Sequence, residues 1–176
     1  MTKSVIDAIW HRRSIREFTE EPVSDSVLTR LIEAACHAPS AGNRQPWFFY
    51  VVKDGKTRRE LARAAFGQSF LEKAPVNIVV CAEPERSATR YGKRGAELYC
   101  LQDTAAAVQN ILLCATGQGL GTCWVGAFDE EAVSEVLDIP LGRRPVAVIP
   151  VGYSESIGRS EPPTRRTLDE VIRIVD

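Results

Sequence analysis

Apolar and small residues run almost unbroken from Leu98 to Leu120, a stretch in which Asp103 is the only carboxylate and no Lys or Arg occurs. Its 23 residues contain no proline. Leu101, Ala105, Val108, Ile111, Leu112 and Ala115 recur at three- and four-residue spacing, which predicts a long helix. The other side carries Ala106, Ala107, Leu113 and Cys114, so this helix is apolar nearly all round and needs cover nearly all round. Gly117 and Gly119 offer C-terminal caps. Residues 121–128 then read as a buried strand with Gly126 near its end, a place where a ligand can approach the backbone. Two readings stay open here: an ordinary core helix, or a central helix feeding a strand that touches a ligand.

The rest of the pattern fills in around that centre. Ser4 and Asp7 open a helix that ends near His11, with Ile6, Ile9 and Trp10 as its apolar face. Pro22 and Ser24 open a second, whose stripe is Val27, Leu28, Leu31, Ile32 and Ala35. It stops at Ala38-Pro39, because a residue before proline avoids the helical region. Phe48–Val52 is a strand and Asp54-Gly55 a turn. Thr57 and Glu60 form a capping box for a helix to about Ala65. Ala74-Pro75 ends the next segment, and Val76–Ala82 is another strand. Residues 83–97 turn charged and irregular, reading either as a solvated loop or as a lid over a pocket. Asp129 caps a helix with Val133, Val136 and Leu137 inward, and Pro145–Val151 is the fourth strand. After a Ser-, Pro- and Glu-rich crossing at 152–163, an amphipathic tail, Leu168–Val175, is expected to dock elsewhere, a second subunit being one candidate.

A length of 176 residues suits a single domain, 1–176. A formal net charge of −1 gives no electrostatic case for nucleic acid. The start, Met1 to Val5, lacks the apolar core of a signal peptide, and Gln102, Asp103, Gln109 and Asn110 interrupt the long apolar helix. A cytoplasmic protein without a membrane partner is therefore the expectation. The five cysteines form no C-x-x-C, and His11 and His37 are not at ligand spacing, which disfavours zinc or a disulfide framework.

Chemistry-bearing residues are spread along the chain. RRSIREF, residues 12–18, sets Arg12, Arg13, Ser14 and Arg16 between the anchors Ile15 and Phe18. Arginine forks and a hydroxyl suit a phosphate, while arginine at a helix C-terminus is also favoured by the dipole. SAGNRQPW, residues 40–47, offers Ser40, Asn43 and Gln45 either to a heterocycle edge or to its own backbone. No P-loop, G-x-G-x-x-G, G-x-S-x-G or paired-histidine motif is present. With so few acid or base candidates, the pattern suits a protein that binds a cofactor and lets it do the chemistry.

RRSIREF, APSAGNRQPW at 38–47, DTAAAVQNILLCATGQGLGTCWVGAF at 103–128 and PVGY at 150–153 together resemble the nitroreductase family of flavin enzymes, in order and spacing. The resemblance implies an α+β fold, a mixed β-sheet flanked by helices, and a homodimer with the long central helix at the interface and the 164–176 tail on the partner subunit. It also implies bound FMN, NADH or NADPH as electron donor, and nitroaromatic, quinone or similar electron-poor acceptors reduced by a ping-pong mechanism. Carried over, Arg12, Arg13 and Ser14 hold the phosphate and ribityl chain, and Arg16 lies by the flavin pyrimidine edge. Pro39, Ser40, Ala41 and Asn43 pack on the flavin from the other subunit. Trp124, Val125, Gly126 and Ala127 pass the flavin centre, with the Gly126 amide toward N5. Gln68 matches a residue at the O2/N3 edge, and Arg165 a late basic residue on the phosphate. No side chain need be catalytic. Within the same family, reductive dehalogenation and flavin breakdown are alternatives; outside enzymes, the alternative is a non-catalytic flavin-binding protein.

Overall fold

The computed structural model describes residues 4–159 and 161–175. The first three residues, included above in the reading of the N-terminus, lie outside them. Helix α1, Val5–His11, starts at the Ser4–Asp7 capping box. Helix α2, Asp25–Cys36, is capped by the Ser24 side chain on the Val27 amide. Strand β1, Trp47–Val52, leads directly to α3, Gly55–Ala64. Asp54 is not a turn residue but the N-cap of α3: its carboxylate accepts from the Thr57 amide and hydroxyl, which displaces the expected Thr57–Glu60 box. A single turn, α4, Phe70–Lys73, precedes strand β2, Val76–Ala82.

Residues 83–97 are not an irregular loop. They form α5, Pro84–Arg94, and a π-turn, Gly95–Tyr99. Pro84 occupies the first turn, where its missing N–H is harmless, and Gly92 (φ +55°) kinks the helix, so that Lys93 and Arg94 run on into the π-turn and the next helix. The periodicity was hidden because Ser87 is the only fully buried residue of the helix. Next comes α6, Cys100–Gly117, the expected central helix. It ends in a Schellman motif: Gly119 (φ +77°) follows the cap, Leu120 N–H donates to Ala115 C=O, and Gly119 N–H donates to Thr116 C=O.

The expected strand 121–128 is shorter than its apolar run. Only β3, Gly121–Thr122, pairs continuously, and a lone bridge joins Val125 to Val148. Helix α7, Glu130–Val136, and strand β4, Arg144–Gly152, follow. Of the tail, only Leu168–Glu170 is helical, as one 3-10 turn. Leu168, Ile172, Ile174 and Val175 are exposed.

The sheet order is β1-β2-β4-β3, and its strand pairs are antiparallel. The parallel element is a single bridge, Ser14 to Thr122. Every residue of β2 is buried, as befits a strand covered on both faces. Ile78, Val80, Ala147 and Ile149 pack with α2 and α6, while Val79, Cys81 and Val148 pack with α3 and α7. Two helical layers thus sandwich one sheet, an α+β architecture. Within α6, Val108, Ile111, Leu112 and Ala115 are fully buried, and Leu101, Ala105, Ala106, Leu113 and Cys114 only half so. Among the described residues, no helix is long and apolar enough to cross a membrane.

Candidate functional site

After α1 the chain runs extended along the sheet edge. Ile15 N–H donates to Thr122 C=O at 2.8 Å, and Thr19 N–H to Tyr153 C=O at 2.9 Å. Extended backbone sends successive side chains to opposite faces. Ile15 goes inward and is buried, while Ser14 and Arg16 are exposed. Arg16, Ser14 and Arg12 bear on Cys123. Burial pushes that thiol's pKa up, and the two guanidinium groups and the Ser14 hydroxyl oppose the shift. Arg16 also lies 5.9 Å from the centroid of the Phe70 ring, a cation–π distance.

Gln68 stands at the same place. Its amide nitrogen donates to Ala65 C=O and Ala127 C=O, both at 2.9 Å, tying the α3–α4 connection to 124–127. In that segment Val125 is buried and Trp124, Gly126 and Ala127 are exposed. A Cβ at Gly126 would meet nothing within 4 Å, so the backbone is open to approach. Trp124, Gly126 and Phe128 line a cavity of about 320 Å³ with Leu101, Ala105 and Val108 of α6. Glu130 and Arg144 also line it, joined by two parallel hydrogen bonds of 2.8 Å, which hold the Glu130 carboxyl below its usual range.

The fold therefore brings Arg12, Ser14, Arg16, Gln68 and 124–127 together. Arg13 differs. Its Nη1 donates to the carbonyls of Trp10 and Arg12, at 2.8 and 2.9 Å, and its Nε is buried without a partner. That is the helix-end role that RRSIREF left open, so at most part of its fork can reach an anion.

Pro39, Ser40, Ala41 and Asn43 sit elsewhere, against α5 and α6. Ala41 N–H donates to Asp103 Oδ1 at 3.1 Å, and Ser40 Oγ accepts from Gln45 N–H at 3.0 Å. Ser40 Oγ thus takes one hydrogen bond from its own loop. Gly42, Asn43 and Gln45 all adopt left-handed φ, between +51° and +56°. Arg44 donates to Arg86 C=O and Thr89 Oγ1 of α5, at 2.8 and 2.7 Å. Arg165 is exposed on the tail.

Four participants were missed in the sequence. Phe70 and Cys123 look like ordinary core residues there, and the Glu130–Arg144 pair gives no local signal across fourteen positions. Asp103 was visible as a lone carboxylate, but its partner was not.

The nitroreductase family model matches this chain over residues 9–70 and 63–153. A protein of Archaeoglobus fulgidus, provisionally named NADH dehydrogenase/NAD(P)H nitroreductase, is 39% identical over 150 residues, covering 82% of each chain. The chain belongs to the nitroreductase family. An NADH dehydrogenase of Thermus thermophilus is 32% identical to this nitroreductase-family chain over 188 residues, covering 92% of it and 91% of the relative. Among solved structures, the NADPH:FMN oxidoreductase of Vibrio harveyi in complex with NAD+ superposes with a TM-score of 0.87 at 27% identity. That match covers 98% of this chain and 77% of the other.

Proposed function

We propose that this chain is an FMN-dependent NAD(P)H oxidoreductase that reduces nitroaromatic, quinone or similar electron-poor acceptors. Donor and acceptor use one site in turn, a ping-pong mechanism, and the working unit is a homodimer. The observation that carries the reading is the Ser14–Thr122 bridge, which lays Arg12, Ser14 and Arg16 beside Cys123 and the open backbone at Gly126. Two cations and a hydroxyl fit a phosphorylated, electron-rich cofactor, and a Cβ-free open amide fits the close approach of a planar ring.

FMN, when bound, supplies the two-electron chemistry between the nucleotide and the acceptor. The chain's own groups bind and orient it. Arg12 and Ser14 hold the phosphate and ribityl chain, with partial help from Arg13. Arg16 sits by the pyrimidine edge, where a guanidinium favours the more negative reduced form. The Gly126 N–H would hydrogen-bond N5. The nitrogen of the Gln68 amide is engaged by carbonyls, leaving Oε1 to accept from the flavin N3–H. No side-chain acid or base is needed.

The separation of 39–43 from this cluster supports a role for that loop in the partner's site, as does the late Arg165 on an exposed tail. Dimerisation is further supported by the exposed apolar face of α1 (Ile6, Ile9, Trp10) and by the exposed tail. Purified protein should be yellow, with about one FMN per chain, and should oxidise NAD(P)H with a quinone or nitroarene. Colourless protein that takes up no added FMN overturns the reading. Protein that binds FMN but shows no NAD(P)H oxidation with any acceptor would be a flavin carrier instead.

A further inference from the structure

Asp103 is the one carboxylate in an otherwise uncharged helix, and it is buried to 7% exposure. Burial pushes its carboxyl pKa up, against the pull of a single backbone hydrogen bond. A buried carboxyl that lacks good partners is costly to keep. One of its oxygens has none: Oδ2 is shut away from solvent without a hydrogen bond. The other, Oδ1, accepts from Ala41 N–H at 3.1 Å. Ala41 opens the 3-10 turn Ala41–Asn43, whose N-cap Ser40 makes no side-chain cap bond to it. The carboxyl of Asp103, reaching across from α6, takes that place.

What it caps is a left-handed turn. Gly42, Asn43 and Gln45 have φ of +56°, +54° and +51°, a region that glycine enters freely and asparagine readily but glutamine only when its surroundings hold it there. Side chains of α5 lie against the turn. A Cβ at Gly42 would lie 2.5 Å from the Tyr91 hydroxyl and 3.1 Å from Arg90 Nη1, and Arg44 anchors the far end to α5.

We propose that Asp103 is a positioning residue for the Pro39–Asn43 loop: through Ala41 N–H it holds the left-handed turn that presents Ser40 and Asn43 to the flavin. This rests on the assignment of that loop to a flavin site. Because the role is to accept one hydrogen bond, a neutral amide serves as well as a carboxyl, and Asp103→Asn should preserve it. Asp103→Leu removes the acceptor and strands the Ala41 amide.

The test pairs two readouts on the full-length protein. Hydrogen exchange over residues 39–46 reports the turn, and fluorescence titration of the apoprotein with FMN reports the site. For Asp103→Leu, Ala41 exchange should quicken and FMN should bind roughly tenfold more weakly, the equivalent of one hydrogen bond. Asp103→Asn should match wild type within about twofold in both. Ala41→Pro removes the donor at a first-turn position that tolerates proline. Adding Asp103→Leu to it should weaken FMN no further, since both break one contact. Should Leu prevent folding, Asp103→Ala takes its place. Asp103→Leu with unchanged exchange, or with quickened exchange and unchanged FMN affinity, overturns the proposal, as does Asp103→Asn behaving like Leu. Wild type that binds no FMN overturns the functional reading first, whereas equal FMN binding by wild type and Asp103→Leu overturns only this proposal.

Discussion

The side chain of Ile15 fills the space in which a Cβ at Gly121 would stand: that atom would lie 2.8 Å from Ile15 Cγ2 and 3.0 Å from its Cβ. Both neighbours are on a stiff β-branched side chain, so neither yields easily. The extended 12–18 segment can lie this close to β3 only because position 121 is glycine. We expect Gly121→Ala to destabilise the fold by about 1–3 kcal/mol through overpacking and to weaken FMN binding in the same protein. Denaturant unfolding and FMN titration measure both, and wild-type values in each would refute the role given to this contact.

Arg16 is exposed, and its described contact is the Phe70 ring. Arg16→Ala should therefore leave the apoprotein's unfolding midpoint nearly unchanged while weakening FMN binding. Arg12→Ala should weaken FMN by roughly 1.5–3 kcal/mol, the range for a hydrogen bond to a charged group. Equal FMN affinity in wild type and both variants would remove the cation cluster from the site.

On α5, Arg86 pairs with Glu83 at 3.6 Å and Lys93 with Glu97 at 3.7 Å. Arg90 and Arg94 instead lie over the rings of Tyr91 and Tyr99, at 5.5 and 5.3 Å, with no carboxylate at ion-pair distance among the described residues. Within α5 these two are the cations without a carboxylate partner, Arg94 also donating to the Tyr99 hydroxyl at 3.0 Å, and they are the candidates to attract an anionic substrate. Replacing both with Gln should lower kcat/KM for NADPH by more than about twofold at low salt, with less effect at high salt. A neutral quinone should be unaffected. If no substrate responds at either salt concentration, the pair is only solvated surface.

Glu130 offers a pH test. Its folded pKa lies below the usual 4.5, chiefly through the Arg144 hydrogen bonds. Its stabilisation is therefore present above the unfolded pKa and is lost as pH falls through the folded value. The pair is about half exposed, so its contribution is at most about 1 kcal/mol. Glu130→Gln should be less stable than wild type at pH 7, with the gap closing at acid pH. A gap that stays constant across that range would contradict the assignment.

Much of this fold was legible where periodicity and burial coincide. The stripe of α2, the seven buried residues of β2 and the apolar run of α6 all stand close to where the pattern put them. Legibility failed where pairing or packing depends on distant partners. Only two residues of β3 find a continuous partner strand, although the apolar run goes on to Phe128. Helix α5 shows the solvent almost only charge, so its period was masked. The site was legible as a set of residue types but not as an arrangement. The pattern could not show that Arg13 closes a helix end, or that Asp103 meets an amide 62 residues away.

The apolar side of α1 makes oligomeric state directly testable. Ile6, Ile9 and Trp10 are each more than half exposed. Light scattering over a dilution series should show a dimer that does not dissociate before it unfolds. Trp10→Glu should shift that profile toward monomer and loosen FMN together. A folded wild-type monomer that holds FMN normally would defeat the two-subunit site.

The single parallel bridge at Ser14 acts as a ruler with two-residue graduations. Ile15 belongs inside, and its neighbours on either side face the cations' work. Removing or inserting one residue between Arg13 and Phe18 would turn the isoleucine to water and drive an arginine toward the core. No conservative substitution elsewhere would repair that exchange of faces. The length of this short segment is thus less negotiable than its exact composition. By contrast, the exposed connection at Leu141–Gly142 should accept an added residue with little effect on either the fold or its flavin.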